Sequence, residues 1–537
     1  MRHLCVRISV ALIARLCVNG VDLPPSEYPV DEHIFESVID HFNFRPTAVP
    51  TFPLRYYVNE KNWNSSFSPC FFYTGNEADI FQFINNTGFL FEAAEEFGAL
   101  VVFAEHRYYG LSNPFGNAYA LGVPYNISFL TVEQAMEDFN TLNLHIRKKW
   151  SMTQQTPFIT FGGSYGGNLA LWLRLKNPNL WAGAIASSAT PLKHLLRETN
   201  DFARIETEAY GNVSEKCPEL VRKGWEELYE GAKTVSGRVN VAKSLSLCSP
   251  LPDERAADDV HGWISGALET MVQYGYPYET SFYNLIPGYP FRVTCQKMLK
   301  ANTGLGALLS AADVYYNYTG EAGGCFDFDA LVMVESSKYW KRKGDYDRLQ
   351  DQENRIKNRY KKNSPNLIRK SFDSRMSKLK WEESNMAWGY QTCTEVYQPM
   401  PTNGVTDFEL PYKPNRTAYF TECKRRWGVE PRPDWEEMTF MGADIGKGSN
   451  IYLTSGQLDP WRAAGIQSTP KGSDGTIIVR IIESAAHHLD LRAAHPLDPW
   501  SVVSVRREQK KVMRKWITEW RESHNLLTRT FNSLDSS

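Results

Sequence analysis

The sequence predicts an α/β protein: a mostly parallel β-sheet with crossover helices, interrupted by a large, mainly helical insertion that carries most of the cysteines. Three observations predict it. Short apolar runs alternate with helical stretches between Leu54 and Thr190, the alternation stops near Pro191, and it resumes with two apolar runs after Asn450.

The first part contributes Pro69–Thr74, Ala99–Ala104, Phe158–Phe161 and Ala182–Ser187, each a short apolar run of the buried-strand type. Between them, Thr131–Lys148 and Asn168–Lys176 read as helices. The middle part reads as helical or irregular, with helices over Pro218–Val235 and Asp258–Tyr274. Asn450–Thr454 and Thr476–Ile482 return to the strand pattern, and a helix from Ser501 to Trp520 closes the chain. One sheet domain, over residues 21–192 and 431–537, interrupted by a cap over 193–430, accounts for this order. Such a cap sits over the carboxyl ends of the strands, where α/β sheets bind ligands.

Composition narrows the functional classes. The chain has 537 residues, 42% hydrophobic and 22% charged, with a formal charge of −2. That balance suits a globular protein and gives no reason to expect a nucleic-acid partner. Residues 338–380 hold 15 Lys/Arg and 5 Asp/Glu, a basic insertion that reads as a solvated loop or exposed helix. Residues 1–20 read as a signal peptide, with an apolar stretch from Val6 to Val18, and no later run has the ~18 apolar residues of a membrane span. Six Asn-X-Ser/Thr sequons, at Asn64, Asn85, Asn126, Asn212, Asn317 and Asn415, fit the secretory route. Nine cysteines are present, and six of them fall between Cys217 and Cys423, the pattern of an oxidised, disulfide-pinned segment. No CxxC or His-rich spacing calls for a metal, and no cofactor is expected.

The chemistry concentrates at Phe158–Gly167, which reads strand, Gly-X-Ser-X-Gly, helix. A serine on a strained strand-to-helix turn needs nearly side-chain-free neighbours two residues away on either side. The turn lifts the Ser164 hydroxyl above the sheet and points the Tyr165 N–H at a bound carbonyl oxygen. In α/β-hydrolases the partners follow in the order nucleophile, acid, base. Here Asp459 follows the strand ending near Thr454, and His487 and His488 follow the next strand, so the order is met and either histidine fits the role of base. The loop Tyr73–Asp79 supplies a second oxyanion donor, the N–H of Gly75 or Asn76. Glu77 and Asp79 could bind a peptide amino terminus, although Asp79 fits a helix cap equally well. His106–Gly110 lines or braces the site.

With these strings in view, the chain resembles the family of lysosomal Pro-X carboxypeptidase and dipeptidyl peptidase II, which are serine peptidases. The matching segments are Val38–Phe42, Tyr73–Glu77, Phe103–Gly110, Gly162–Gly167, Cys393–Glu395, Trp427–Pro433, Leu458–Trp461 and Ala486–Arg492, in family order. The resemblance implies an α/β-hydrolase fold with a helical cap. It assigns His487 as base, with His488 and Arg492 beside it, and pairs Cys217 with Cys295, Cys248 with Cys325 and Cys393 with Cys423. It implies cleavage of peptide substrates near their ends, next to proline, at acidic pH, in lysosomes or outside the cell, and it allows a homodimer. Asn168 stands where the family has an apolar residue of the proline pocket, and Arg462–Gly465 replaces a glycine-rich run after Asp459–Trp461. Strict proline specificity is therefore open, and the expected activity is a serine exopeptidase with proline or a small residue before the scissile bond. Carboxypeptidase polarity is favoured over dipeptidyl peptidase polarity. A lipase or esterase, or a silent binding protein on the same fold, would keep the elbow but not the peptide chemistry.

Overall fold

A computed structural model describes residues 28–534, apart from 46–49, 117–123, 321–323, 328–383 and 385. The expected signal segment and the basic insertion 338–380 lie outside the described residues.

Eight strands form one mixed sheet: β1 (Asp31–Val38), β2 (Thr51–Asn59), β3 (Cys70–Thr74), β4 (Leu100–Ala104), β5 (Phe158–Gly163), β6 (Gly183–Ser187), β7 (Ile451–Gly456) and β8 (Ile477–Ile482). Their order is β1-β2-β4-β3-β5-β6-β7-β8. From β4 to β8 neighbouring strands run parallel, while β1–β2 and β2–β4 are antiparallel. The strands β3 to β6 are buried at every residue, which is why their sequences are apolar runs rather than alternating patterns. β1 is different: it is an edge strand, largely exposed, with Asp31, Glu32 and Glu36 along it, and such charges discourage edge-to-edge pairing with a second chain.

Crossover helices cover both faces. They include α1 (Ile80–Ile84), α2 (Gly88–Phe97), α3 (Val132–Lys149) and α4 (Tyr165–Lys176). The Thr131 hydroxyl accepts from the Gln134 N–H, so the helix expected from Thr131 starts one residue later, with Thr131 as its cap. Asp79 likewise caps α1 by accepting from Phe81 N at 3.0 Å.

After β6 the chain leaves the sheet and builds the cap from α5 (Asp201–Gly211), α6 (Lys216–Ala232), α7 (Val235–Ser244), α8 (Ala256–Gln273), α9 (Pro290–Met298) and α10 (Gly304–Tyr316), with α11 (Arg416–Trp427) further on. Trp225, Trp263, Leu268 and Met271 are buried in a core that continues without a break into residues from one face of the sheet, such as Phe71, Phe161 and Ile185. The fold is an α/β-hydrolase sheet with a helical cap.

All three disulfides form as the resemblance implies. Cys217–Cys295 ties α6 to α9, Cys248–Cys325 closes the α7 end, and Cys393–Cys423 secures α11. Cys70 is a free, buried thiol on β3, and burial pushes its pKa up, so it stays unreactive. The last helix, α12 (Trp500–Leu534), starts near the expected residue and runs further. Among the described residues no helix is long and apolar enough to cross a membrane. Of the sequons, Asn64, Asn212 and Asn415 are exposed, whereas Asn85, Asn126 and Asn317 are partly covered.

Candidate active site

β5 ends at Gly163 and α4 begins at Tyr165, so Ser164 alone makes the turn. Its φ of 59° and ψ of −127° lie where side-chain-bearing residues rarely go, a strain that persists only where the surroundings enforce it. Packing explains the flanking glycines. A Cβ on Gly162 would stand 2.1 Å from the Gly166 carbonyl oxygen, and one on Gly166 would stand 2.2 Å from Asn76 Oδ1. The Ser164 N–H donates to the Ser187 carbonyl at 2.9 Å, which fastens the elbow to β6. Tyr165 is the first residue of α4, so its N–H is one of the unpaired helix-end donors.

Asp459 follows β7 and His487 follows β8, and both are fully buried. His487 Nδ1 lies 2.7 Å from Asp459 Oδ2, and Asp459 Oδ1 accepts from the Trp461 N–H at 3.0 Å. The backbone of His487 is held from the cap: its N–H donates to Gln273 O at 3.0 Å, and its carbonyl accepts from the Tyr276 hydroxyl at 2.9 Å. Among the described residues His487 Nε2 has no hydrogen-bond partner, Ser164 included. Catalytic hydrogen bonds of empty sites are often long and tighten only when substrate is bound.

The His488 ring lies 4.6 Å from that of His487, and a Cβ on Gly163 would come 3.0 Å from it. Burial, with His487 and Arg492 nearby, holds His488 well below the ordinary histidine range, so this ring is neutral. Arg492 reaches Asn86 Oδ1 at 2.6 Å and the Tyr278 hydroxyl at 3.2 Å and lies over the Tyr276 ring.

Ser164, Tyr165, Asn76, Glu77, Trp461, His488 and Arg492 all line one cavity of about 1340 Å³ beneath the cap. Two expected residues are placed otherwise. The Gly75 N–H is committed to the Ala104 carbonyl at 3.0 Å, because the chain turns tightly against β4 there, and it has no proton left for an oxyanion. Asn76 is the remaining donor of that pair; its side chain braces the elbow by donating to Gly163 O at 2.6 Å. Asn168 is fully buried and does not line the cavity. Its Oδ1 accepts from Thr190 N at 2.6 Å, and its Nδ2 donates to Thr190 Oγ1 at 3.4 Å. Only Thr190 faces the cavity.

His106–Gly110 was expected to line or brace the site, but its partner Gln391 and the anchoring by Asp490 were left unassigned. Tyr109 donates to Gln391 Oε1 at 2.5 Å, Gln391 Nε2 donates to the Tyr165 hydroxyl at 2.9 Å, and His106 Nε2 meets the same hydroxyl at 3.1 Å. Burial lowers the His106 pKa to about 4, so His106 braces α4 as a neutral ring. Asp490 accepts from Ser187 Oγ, Thr454 Oγ1 and Gln509 Nε2, at 2.5, 2.9 and 2.7 Å, and so anchors the histidine loop to β6, β7 and α12. Asp490 lies inside the recognised Ala486–Arg492 string, but nothing local reveals partners so distant in sequence.

The comparisons with known proteins identify the family. The family model for serine carboxypeptidase S28 matches residues 37–509. The chain belongs to that family. It is 35% identical to lysosomal Pro-X carboxypeptidase of Mus musculus over 90% of this chain and 89% of the relative. The same protein of Homo sapiens is 34% identical, over 95% and 92%. The thymus-specific serine protease of Homo sapiens is more distant, at 24% over 91% and 87%. The chain is thus a serine peptidase of family S28, with Pro-X carboxypeptidases among its relatives.

Proposed function

We propose that the chain is a Pro-X carboxypeptidase-like exopeptidase that hydrolyses short peptides through an acyl-enzyme on Ser164, after proline or another small residue. The observation that carries this reading is the buried Asp459–His487 contact of 2.7 Å, with His487 Nε2 unpartnered among the described residues and Ser164 and His488 lining one cavity.

His487 Nε2 takes the Ser164 proton as Oγ attacks the scissile carbonyl, then delivers it to the leaving amine. Asp459 fixes Nδ1–H in the right tautomer and stabilises the imidazolium. The N–H groups of Tyr165 and Asn76 receive the developing oxyanion. Water then repeats the sequence on the acyl-enzyme, with His487 again as base.

Polarity follows from the charges of the cavity. Burial raises the Glu77 pKa, which weakens it as a partner for a substrate ammonium. Among the described residues Arg492 forms no ion pair and donates to neutral groups, Asn86 Oδ1 and the Tyr278 hydroxyl. It is the cation for a terminal carboxylate. The cap over the cavity favours chain ends. The relatives named for the lysosome, the sequons and the three disulfides together support a lysosomal or secreted, acid-exposed enzyme, and the reading extends to a homodimer, tested by sedimentation.

A fluorophosphonate probe and two matched Pro-X peptides, one blocked at each end, test the proposal. The wild type takes the label at Ser164 and cleaves the amino-blocked peptide but not the amidated one. Ser164→Ala takes no label and loses activity on the order of 10⁴–10⁶-fold. Cleavage of only the peptide with a free amino end would reverse the polarity, and turnover of a nitrophenyl ester alone would replace peptidase by esterase.

A further inference from the structure

At about 1340 Å³ the cavity beneath the cap exceeds the usual range of a small-ligand site, roughly 300–1,000 Å³, so it holds more than the two residues that flank a scissile bond. One side of it is built by the cap alone. Trp263, Gly266, Thr270 and Gln273 line it, and their spacing of three and four residues puts them on one face of α8. Gln273 marks the catalytic end of that face, because its carbonyl receives the His487 N–H at 3.0 Å. Arg492 lies beyond that end, over the Tyr276 ring at 4.5 Å. Trp263 stands ten residues back along the helix, roughly 15 Å away. The carboxylate anchor, the base and the cap face follow one another in that order.

Aromatic rings wall this arm at both ends. At the far end Trp263 stacks on Tyr316 of α10 at 5.0 Å, and the Tyr316 hydroxyl donates to the Trp263 carbonyl at 3.0 Å. Nearer the base Tyr274 stacks on Phe282 at 4.6 Å, with the Phe282 ring 5.7 Å from that of His488. Between the two pairs the helix face is bare: Gly266 has no side chain and Thr270 a short one. Glycine is a poor helix former, so helix stability is given up where the arm needs room. Of the described cap residues that line the cavity, only Glu279 is charged, and it sits exposed, accepting from the Tyr318 hydroxyl at 3.2 Å.

Two polar groups on these walls lack a partner. Trp263 is 2% exposed and Thr280 is 4% exposed, both line the cavity, and neither Trp263 Nε1 nor Thr280 Oγ1 has a hydrogen-bond partner among the described residues. The backbone of Thr280 is fixed by bonds to Ile286 in both directions, at 3.1 and 2.9 Å. Buried polar groups are nearly always paired, and leaving one unpaired is costly. An unpaired donor in a cavity wall therefore points to a partner that arrives with the ligand. An indole N–H can only donate, so its partner is an acceptor such as a peptide carbonyl. An extended peptide advances ~3.4 Å per residue, and the arm takes about four residues.

We propose that this arm is a remote peptide subsite that takes an aromatic side chain carried about four residues upstream of the scissile bond. The ring lies over Gly266, between the Trp263–Tyr316 and Tyr274–Phe282 pairs, where offset or edge-on ring contacts add to the gain from burial. The Trp263 N–H donates to a carbonyl of the same peptide segment. The proposal rests on the carboxypeptidase polarity argued above, since a carboxyl end at Arg492 sends the rest of the peptide along α8. The enzyme then selects peptides of about five residues or more, uncharged and aromatic at that position, over di- and tripeptides.

The test uses the full glycosylated chain and amino-acetylated alanine peptides of roughly three to seven residues that end in Pro-Val, with one Phe moved through each upstream position. Wild-type kcat/KM is expected to rise about 10- to 100-fold over the all-alanine peptide when Phe stands about four residues before the bond, and to stay close to it elsewhere. No gain, or an equal gain at every position, would overturn the proposal. Gly266→Leu fills the arm with a better helix former and is expected to bring the ratio between the Phe-bearing and all-alanine peptides close to one; an unchanged ratio would also overturn it. Thr270→Phe carries the same test if Gly266→Leu does not fold. Calorimetric titration of the same peptides into Ser164→Ala separates the two readings. If that chain keeps the positional preference while wild type shows no peptidase activity, the subsite stands and the catalytic reading falls. If wild type cleaves the peptides and neither chain shows the preference, the subsite alone falls.

Discussion

Asp459, on the loop after β7, has both carboxylate oxygens engaged, Oδ2 with His487 Nδ1 at 2.7 Å and Oδ1 with Trp461 N at 3.0 Å. Glu206, on α5, is also sealed from water, but its Oε1 has no partner and its neighbours are other carboxyls. The two lie on either side of one contact, because α5 packs on the loop that Asp459 opens. A buried carboxylate is tolerable when donors and a cation are built around it, and is otherwise kept protonated. The end of the sheet surrounds its buried carboxylate with partners, and the cap interior leaves a buried carboxyl oxygen without one.

The change with the largest expected effect separates these designs. Asp459→Asn keeps the shape but offers an amide to Nδ1, which favours the wrong tautomer and costs about 10⁴-fold in kcat. Steady-state kinetics on a Pro-X peptide reads this, and a variant keeping a tenth of wild-type kcat would remove Asp459 from its role. Glu206→Gln, at acid pH, exchanges one neutral group for another and is expected to lose far less.

The same contrast marks what the sequence could disclose. The elbow was legible because its constraint is local: Gly162 and Gly166 approach each other's backbone within one turn, and glycine is the only residue that fits. The order of Ser164, Asp459 and His487 followed from alternation along the chain, which a parallel sheet converts into neighbouring loops. The disulfides came through family resemblance, since six cysteines allow many pairings. Contacts between distant segments did not show. That the Gly75 N–H is taken by Ala104 O, or that Gln273 receives the His487 N–H, depends on how loops settle against neighbours far away in sequence. The antiparallel pair β1–β2 was also missed, because β1 is a mostly exposed edge strand whose weak pattern does not announce itself.

The next effect in size is on stability of the cap. The Cys217–Cys295 bond spans 78 residues and joins two helices of the core that continues into the sheet. Replacing both cysteines by alanine is expected to cost about 2–5 kcal/mol, read by denaturant unfolding. Because α6 and α9 pack against the α5–α8 pair, kcat should fall before unfolding is complete. Simultaneous loss of activity and fold would show that cap and sheet are a single cooperative unit. Loss of activity at lower denaturant would show that the cap loosens first.

The smallest effect concerns Asn168, the position at which the chain departs from its family's apolar pattern. The departure invites the idea that a polar side chain has altered the proline pocket. Its geometry argues otherwise: Asn168 is fully buried and both ends of its carboxamide are turned to Thr190, which alone faces the cavity. Asn168→Ala should leave the Thr190 N–H unsatisfied and cost about 1–3 kcal/mol of stability. The ratio of kcat/KM for Pro-X over Ala-X peptides should move by less than about tenfold, the lower end of what one methylene in a pocket provides. A larger shift would mean that the carboxamide reaches substrate once the cavity is filled. The pairing of Asp459 with His487 would be untouched by that result, because Thr190 lies beyond β6 and Asp459 beyond β7.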